Sequence, residues 1–331
     1  MSRILVTGAS GFIGQTLCKT LSKSGRLVRG TVRSHNSISE DTKAEYINVE
    51  DINIEKNWRG ILDDIDCIVH CAGKAHVMNE TKTNMLNSYR LANVESTRKL
   101  AVKAAEAGVK KLIFLSSIKV NGEETTYKKK NTNSNSQKQH MFSIHDTPDP
   151  KDPYAISKFE AEKVLWEVSA KTQLQVTVVR LPLVYGQNVK GNLARLIKMV
   201  KLGVPLPFST VKNQRSMIGL ENLVDLIIRC IDHSSAAGKT LLVSDGEDLS
   251  TPDLVNYIAN SLGLSARLFP IPISLLKFGG YMLNRKSEIN RLVGSLRIDS
   301  GYTKEILNWT PPVSVIDGIK KMVESSKFKN Y

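Results

Sequence analysis

The sequence lacks any run of about 18 apolar residues, so no membrane-spanning helix is expected. Its first residues, Met1 to Thr7, hold an apolar run too short for a cleavable signal and lead straight into glycines. No leader is expected, and the cytoplasm is the expected compartment. Cysteine is sparse. Cys18, Cys67, Cys71 and Cys230 show no Cys-x-x-Cys spacing and read as reduced thiols. Cys67, His70 and Cys71 crowd one short strand, partly on opposite faces, and His76, His140 and His145 have no companions at ligand spacing. No metal site is expected. Acid is in deficit too, with 32 Asp and Glu against 46 Lys and Arg and a formal charge of +14. The excess is scattered apart from Lys128, Lys129 and Lys130, and no nucleic-acid motif accompanies it. It reads as a solvated basic surface, and no nucleic-acid partner is expected. A diphosphate ligand would need only one or two of these charges.

What is present alternates. Short apolar runs at residues 3–7, 27–32, 67–71, 111–116, 175–180 and 240–244 read as strands. Helical spacing follows Ile13, Leu17 and Leu21, and recurs over 93–107 and 153–170. Gly25 and Gly108 stand where helices stop. Strands separated by helices predict an α/β fold, a Rossmann-type doubly wound parallel sheet covered on both faces. Prolines become frequent from Pro182 onward, which predicts a smaller C-terminal lobe. The expected division is a dinucleotide-binding domain over 1–180, rejoined by 220–245, and a substrate lobe over 181–219 and 246–331. Thr251-Pro252-Asp253 predicts a helix start with Thr251 as N-cap. The polar stretch 123–150 has no apolar period and is expected to be a mobile insert.

Thr7-Gly8-Ala9-Ser10-Gly11-Phe12-Ile13-Gly14 joins the first strand to the first helix. Without side chains, Gly8 and Gly11 let the backbone approach a pyrophosphate, which would rest on the free N–H groups of the helix start. Gly14 lets that helix pack close to the sheet. The first strand–helix turn of an alternating chain is the context that makes a glycine triplet informative. A dinucleotide site of this kind usually has an acid after the second strand to bind ribose hydroxyls. Here Thr31-Val32-Arg33-Ser34 stands instead, and the first acid is Glu40. Arg33 can pair with a 2′-phosphate and Ser34 can donate to it, so NADP(H) is favoured, with NAD(H) as the alternative.

Asp152-Pro153-Tyr154-Ala155-Ile156-Ser157-Lys158 opens a helix and sets Tyr154 and Lys158 four residues apart on one face. A phenol with a pKa near about 10 moves protons at neutral pH only if its anion is stabilised, which a neighbouring ammonium does. The strand at 111–116 ends at Ser116-Ser117, on the carboxyl edge where ligands of such sheets bind. There a serine hydroxyl can hold a substrate oxygen against the tyrosine.

With Cys71-Ala72-Gly73 and Asn93, these motifs resemble the extended short-chain dehydrogenase/reductases, in the NAD-dependent epimerase/dehydratase family, over most of the chain. Within them the chain looks most like bacterial UDP-sugar 4-epimerases and UDP-4-keto-6-deoxy-N-acetylhexosamine 4-reductases of O-antigen and capsule synthesis. Residues 115–123, Asn213-Gln214-Arg215-Ser216 and Glu221-Asn222-Leu223-Val224-Asp225 carry that closer similarity. The resemblance implies that Ser117 and Tyr154 are catalytic and that Lys158 holds the nicotinamide ribose. It places Asp51 and Ile52 near the adenine, Ala72 and Gly73 along the pyrophosphate, and Asn93 beneath the site. Asn192, Arg215 and Arg291 would meet the substrate diphosphate. A homodimer through the helices near 86–107 and 153–170 is also implied.

Two departures bear on the reaction. Arg33 replaces the usual acid, and Val120-Asn121-Gly122 stands where such epimerases carry Val-Tyr-Gly. The expected activity is therefore NADPH-dependent reduction of the C4 keto group of a UDP-4-keto-6-deoxy-(N-acetyl)hexosamine. The alternative is a UDP-glucose or UDP-N-acetylglucosamine 4-epimerase with bound NAD, and a minor one is a non-catalytic dinucleotide-sensing regulator. A dehydratase is disfavoured, because Ile118-Lys119 follows Ser117 where that chemistry wants acids. Residues 273–286 read first as an ordinary lobe helix. The competing reading is an amphipathic helix making weak peripheral membrane contact.

Overall fold

The computed structural model describes residues 3–33, 43–49, 58, 60–75, 82–125 and 140–327. The strands are β1 Arg3–Thr7, β2 Leu27–Val32, β3 Glu45–Asn48, β4 Ile65–His70, β5 Lys111–Ser117, β6 Gln175–Leu181, β7 Leu183–Tyr185, β8 Arg215–Gly219, β9 Lys239–Leu242 and β10 Asp248–Leu249. The helices are α1 Phe12–Lys23, α2 Lys82–Tyr89, α3 Ser96–Glu106, α4 Pro153–Lys171, α5 Asn192–Lys201, α6 Leu220–Asp232, α7 Thr251–Leu262, α8 Ile273–Met282, α9 Lys286–Val293, α10 Gly301–Leu307 and α11 Val315–Lys327.

Seven strands form one parallel sheet in the order β3-β2-β1-β4-β5-β6-β9. The largely apolar runs of the inner strands β1, β4 and β5 follow from burial on both faces, whereas edge strand β3 is half-exposed. Alternate residues serve opposite layers. Ile4, Val6, Cys67, Val69, Ile113 and Leu115 face Leu17 and Leu21 of α1 and Leu223 and Ile227 of α6. Leu5, Ile68, Leu112 and Phe114 face Leu100 of α3 and Leu165 of α4. This is the doubly wound sheet that the alternation predicted. The strand order reverses between β1 and β4, which opens a crevice at their carboxyl ends.

A second sheet, β10-β8-β7, packs with α5, α7 and α11 around Leu196, Met217, Ile258 and Ile319. The cap of α7 differs from expectation by one residue. Ser250, not Thr251, is the N-cap, and Asp253 completes a capping box with it. Ser250-x-x-Asp253 lets each side chain take the other residue's backbone N–H, which Thr251 cannot do with the same acid. The helix expected over 93–107 begins earlier, at Lys82, and passes through one π turn, Arg90–Glu95, before α3. Of the 123–150 insert, residues 126–139 lie outside the described residues. On its flanks, Thr125 N–H donates to Ser295 O (2.8 Å), and Phe142, buried against Ile118 and Ile298, donates its N–H to Arg297 O (2.8 Å).

Replacing the α7 cap, Ser250→Ala, is expected to lower stability by about 1 kcal/mol, read as the shift of the urea midpoint at unchanged slope.

Candidate active site

Gly8 ends β1 in the left-handed region, with φ of +67°, and a Cβ there would lie 2.9 Å from the backbone of Ala72. At Gly14 a Cβ would come within 2.3 Å of Gly8 O, so α1 crosses the turn at the closest approach a chain allows. Gly11, exposed, is the N-cap of α1 and supplies no side-chain hydrogen bond. The first N–H groups of α1 therefore point from the end of β1 without a side-chain cap, as an anion site requires. Phe12 and Ile13 turn their side chains into the core, and Ser10 is half-buried in the turn. Arg33 is exposed just past β2. Ser34, Asp51 and Ile52 lie outside the described residues.

Behind the glycine turn runs a buried polar chain. Ala72 N–H donates to Thr7 Oγ1 (3.2 Å), and Thr7 Oγ1 lies 2.6 Å from His70 Nδ1. His70 Nε2 lies 3.0 Å from Thr97 Oγ1, whose own proton goes to Asn93 O (2.6 Å). Thr97 must then accept from Nε2–H, which leaves Nδ1 to accept from Thr7: every group is satisfied by neutral histidine alone. Burial, and secondarily the Lys158 charge, push the His70 pKa down to about 3. Asn93, buried in the π turn, accepts from Lys74 N–H (2.8 Å) and donates to Lys74 O (3.1 Å) and Ser157 Oγ (3.0 Å). It thus fixes the 71–75 loop to the start of α4. The extra residue of the π turn aims it there, a use such turns commonly have.

The predicted catalytic residues converge. Ser117 closes β5 and is buried, and Tyr154 and Lys158 project from the first turns of α4. Asp152 caps α4 by accepting from Ala155 N–H (2.7 Å) and also pairs with Lys119, which follows Ser117. Burial first, then the Asp152 charge, push the Tyr154 phenol up to about 12, while a hydrogen bond with Ser117 works against this. Burial draws the Lys158 ammonium down to about 7 against the opposing pull of Glu162. Lys158 Nζ lies 4.0 Å from the centre of the Phe114 ring and 3.9 Å from where a side chain on Gly73 would begin. No hydrogen bond among the described residues takes up this ammonium. It faces the crevice with donors to spare.

Beneath it sits Glu162, one turn further along α4 and 1 % exposed. It accepts from Ser116 Oγ (2.5 Å) and from Arg180 Nε and Nη2 (3.1 and 2.6 Å). Arg180 Nη1 donates to Asn121 Oδ1 (2.9 Å), and Asn121 donates to Ser143 O (3.1 Å). Asn121, the departure in Val120-Asn121-Gly122, thus ties the catalytic layer to the flank of the insert.

In the smaller lobe, Arg215 opens β8 and donates to Gly294 O (3.1 Å) beyond α9. Burial, then the nearby Arg291 charge, pull the Arg215 guanidinium below its ordinary range. The Glu124 charge opposes this, and a second cation near Arg215 suits an anionic ligand at this corner. Asn192 is exposed at the start of α5, whose Arg195 reaches Glu288 of α9 (3.8 Å). A cavity of about 310 Å³ lined by Ala9, Gln15, Tyr185, Asn188 and Glu221 is not lined by Ser117, Tyr154 or Lys158.

The model of the NAD dependent epimerase/dehydratase family matches residues 4–244. The chain belongs to that family. It is 38% identical to a UDP-glucose 4-epimerase of Vibrio cholerae, over 97% of this chain and 94% of that one. It is 26% identical to an N-acetyl-alpha-D-glucosaminyl-diphospho-ditrans,octacis-undecaprenol 4-epimerase of Escherichia coli O157:H7, over 86% of this chain and 80% of that one. A UDP-glucuronic acid 4-epimerase of Bacillus cereus, solved with UDP-glucuronic acid and NAD, superposes with a TM-score of 0.76 at 21% identity, over 98% and 99% of the two chains. The chain is therefore an enzyme of the extended short-chain dehydrogenase/reductase type. Its residues fit a nicotinamide dinucleotide: the helix start at Gly11 lacks a side-chain cap, Gly8 and Gly14 close up the turn, and Lys158 offers a buried ammonium with free donors.

For an epimerase/dehydratase the functional set is wider than the motifs indicate. Thr7, His70, Thr97, Glu162 and Arg180 all position the site. Glu162 was readable, since Tyr154, Lys158 and Glu162 repeat at four-residue steps on one helical face. Arg180 carried a signal that went unused, a charge near the end of a largely apolar strand. His70 gave no signal, because its partners lie 63 and 27 residues away.

Two outcomes are expected. Glu162→Gln leaves Arg180 buried without its counter-charge and should cost about 3 kcal/mol in denaturant unfolding, with much of it recovered in Glu162→Gln/Arg180→Met. The second concerns acid. Unfolded His70 takes up a proton near pH 6.5 whereas the folded residue does so only near 3, so stability is lost as pH falls across that window. This residue should contribute about 1.4 kcal/mol per pH unit there, a contribution that His70→Gln removes from the pH dependence of the melting midpoint.

Proposed function

We propose that this enzyme is a UDP-sugar 4-epimerase working with held NAD. The single observation that carries the proposal is the 38% identity, along nearly the whole chain, to a protein named as a UDP-glucose 4-epimerase. NAD, when bound, supplies a reversible two-electron acceptor beside the sugar. The glycine turn and the start of α1 would hold its pyrophosphate, and Lys158 its nicotinamide ribose. Tyr154 takes the proton from the sugar 4-hydroxyl and later returns it, Ser117 holds the same oxygen, and Lys158 keeps the phenolate within reach of neutral pH. Arg215 and Arg291 pair with the substrate diphosphate. The homodimer through α3 and α4 is part of the same proposal, and Leu91 and Val102 remain exposed beside that helix pair.

The expected NADPH-dependent ketoreductase becomes the second reading. One observation favours it, Arg33 at the place of the usual acid. Arg33 is exposed, however, and the family is NAD dependent by description. Neither point supports a preference for a 2′-phosphate.

Purified enzyme incubated with UDP-glucose or UDP-N-acetylglucosamine and no reductant should yield the 4-epimer, assayed by chromatography of the sugar nucleotides. Tyr154→Phe should lower kcat by about 100-fold or more. No epimer from either sugar, together with oxidation of NADPH by a UDP-4-keto-6-deoxy sugar, would instead establish the reductase.

A further inference from the structure

The substrate lobe exposes an apolar surface that the catalytic reading does not use. Helix α8 is fastened by one face only: Leu276 is buried, and Gly280 packs so tightly that a Cβ there would lie 2.6 Å from Ile289 of α9. On its outer side Leu275, Phe278, Tyr281 and Met282, with Leu283 just beyond, are each between 58 and 75% exposed. Leu275, Phe278 and Met282 follow helical spacing, so they form one stripe. Scattered single apolar residues on a surface need no explanation, whereas four large ones on one short helix and a fifth just past its end do. Lys277, Arg285 and Lys286 are exposed around the stripe. Glu288 is the one acid between residues 273 and 288, and Arg285 (2.8 Å) and Arg195 (3.8 Å) already engage it.

We propose that α8 is a docking helix that seats the substrate lobe on an anionic lipid surface. A base-rimmed stripe of Leu, Phe, Tyr and Met matches what an interfacial helix needs: apolar side chains to enter the acyl boundary and cations to meet phosphate headgroups. No described helix is long and apolar enough to cross a membrane, so the contact is superficial. A second copy of the chain fits less well. It would set the basic rims against each other, and one ten-residue helix offers a small footprint beside the roughly 800 Å² per partner of a stable interface. The placement also has a consequence for catalysis. Helix α9, packed on α8, carries Arg291 beside Arg215, so docking brings the anion-binding corner of the lobe to the lipid–water boundary.

The full chain would be sedimented with vesicles of phosphatidylcholine alone and of equal parts phosphatidylcholine and phosphatidylglycerol. Binding is expected to the anionic vesicles and to weaken with added salt. Leu275→Glu/Phe278→Glu should lower vesicle partitioning by about tenfold or more, with an unchanged melting curve showing that the fold is intact. Lys277→Glu/Lys286→Glu should lower it as well. Failure of the unaltered protein to sediment with anionic vesicles would overturn the proposal, as would equal binding by the Leu275/Phe278 variant. A dimer in analytical ultracentrifugation that this variant converts to monomer would overturn it too, by showing that a second copy covers the stripe.

Discussion

A single buried carboxylate, Glu162, beneath Lys158 sets how helix α4 lies on the parallel sheet. Glu162 is 1 % exposed, and two donors from Arg180 of β6 and a third from Ser116 of β5 take the place of solvent around its carboxylate. Meeting all three fixes where α4 lies along the two strands, and hence where Tyr154 and Lys158 emerge. The ion pair adds little net stability, since both ions lost hydration to form it. What it supplies is register. A helix held by apolar contacts alone could shift a fraction of a turn at small cost, whereas this one cannot shift without stranding a charge.

The same carboxylate acts electrically on Lys158. Burial alone would drive that ammonium toward its neutral form, and Glu162 opposes this. Tyr154 is shifted in the opposite sense: burial first, and then the Asp152 charge, favour the protonated phenol. In the chain by itself the tyrosine is therefore a poor base. Positive charge placed beside the phenol would draw its pKa back toward neutral pH. Neutral His70 belongs to this balance, because a second cation behind Lys158 would drive the lysine further toward neutrality.

Most of the sheet was legible from short, largely apolar runs, while edge strand β3, Glu45-Tyr46-Ile47-Asn48, carries too little apolar character to show. The glycine turn was legible because backbone proximity leaves no latitude in side-chain choice. Ser117, Tyr154 and Lys158 were legible from spacing and from their places at a strand end and a helix start. The π turn was not, since one added residue in a helix resembles noise in a 3.6-residue period, and Asn93 could not be aimed without it. The α7 cap was misplaced by one residue because Ser250 and Thr251 are both hydroxyl residues, and only the reciprocal bond with Asp253 distinguishes them. Most of the buried network was hidden for a simpler reason: Thr7, His70 and Thr97 are ordinary residues until the fold brings them together.

The reaction was the hardest matter to read, and the site explains why. In the proposed mechanism epimerisation and ketone reduction would draw on the same tyrosine, serine and lysine, because returning a proton to C4 oxygen is the reverse of removing it. What separates the two reactions is whether the dinucleotide stays or exchanges, and that depends on the sum of contacts along its length. Arg33 is one exposed term in that sum. An exposed guanidinium is already well hydrated, so pairing it with a phosphate recovers little of the water it displaces. One such residue cannot outweigh likeness distributed over the rest of the chain, where every element that shapes the crevice contributes.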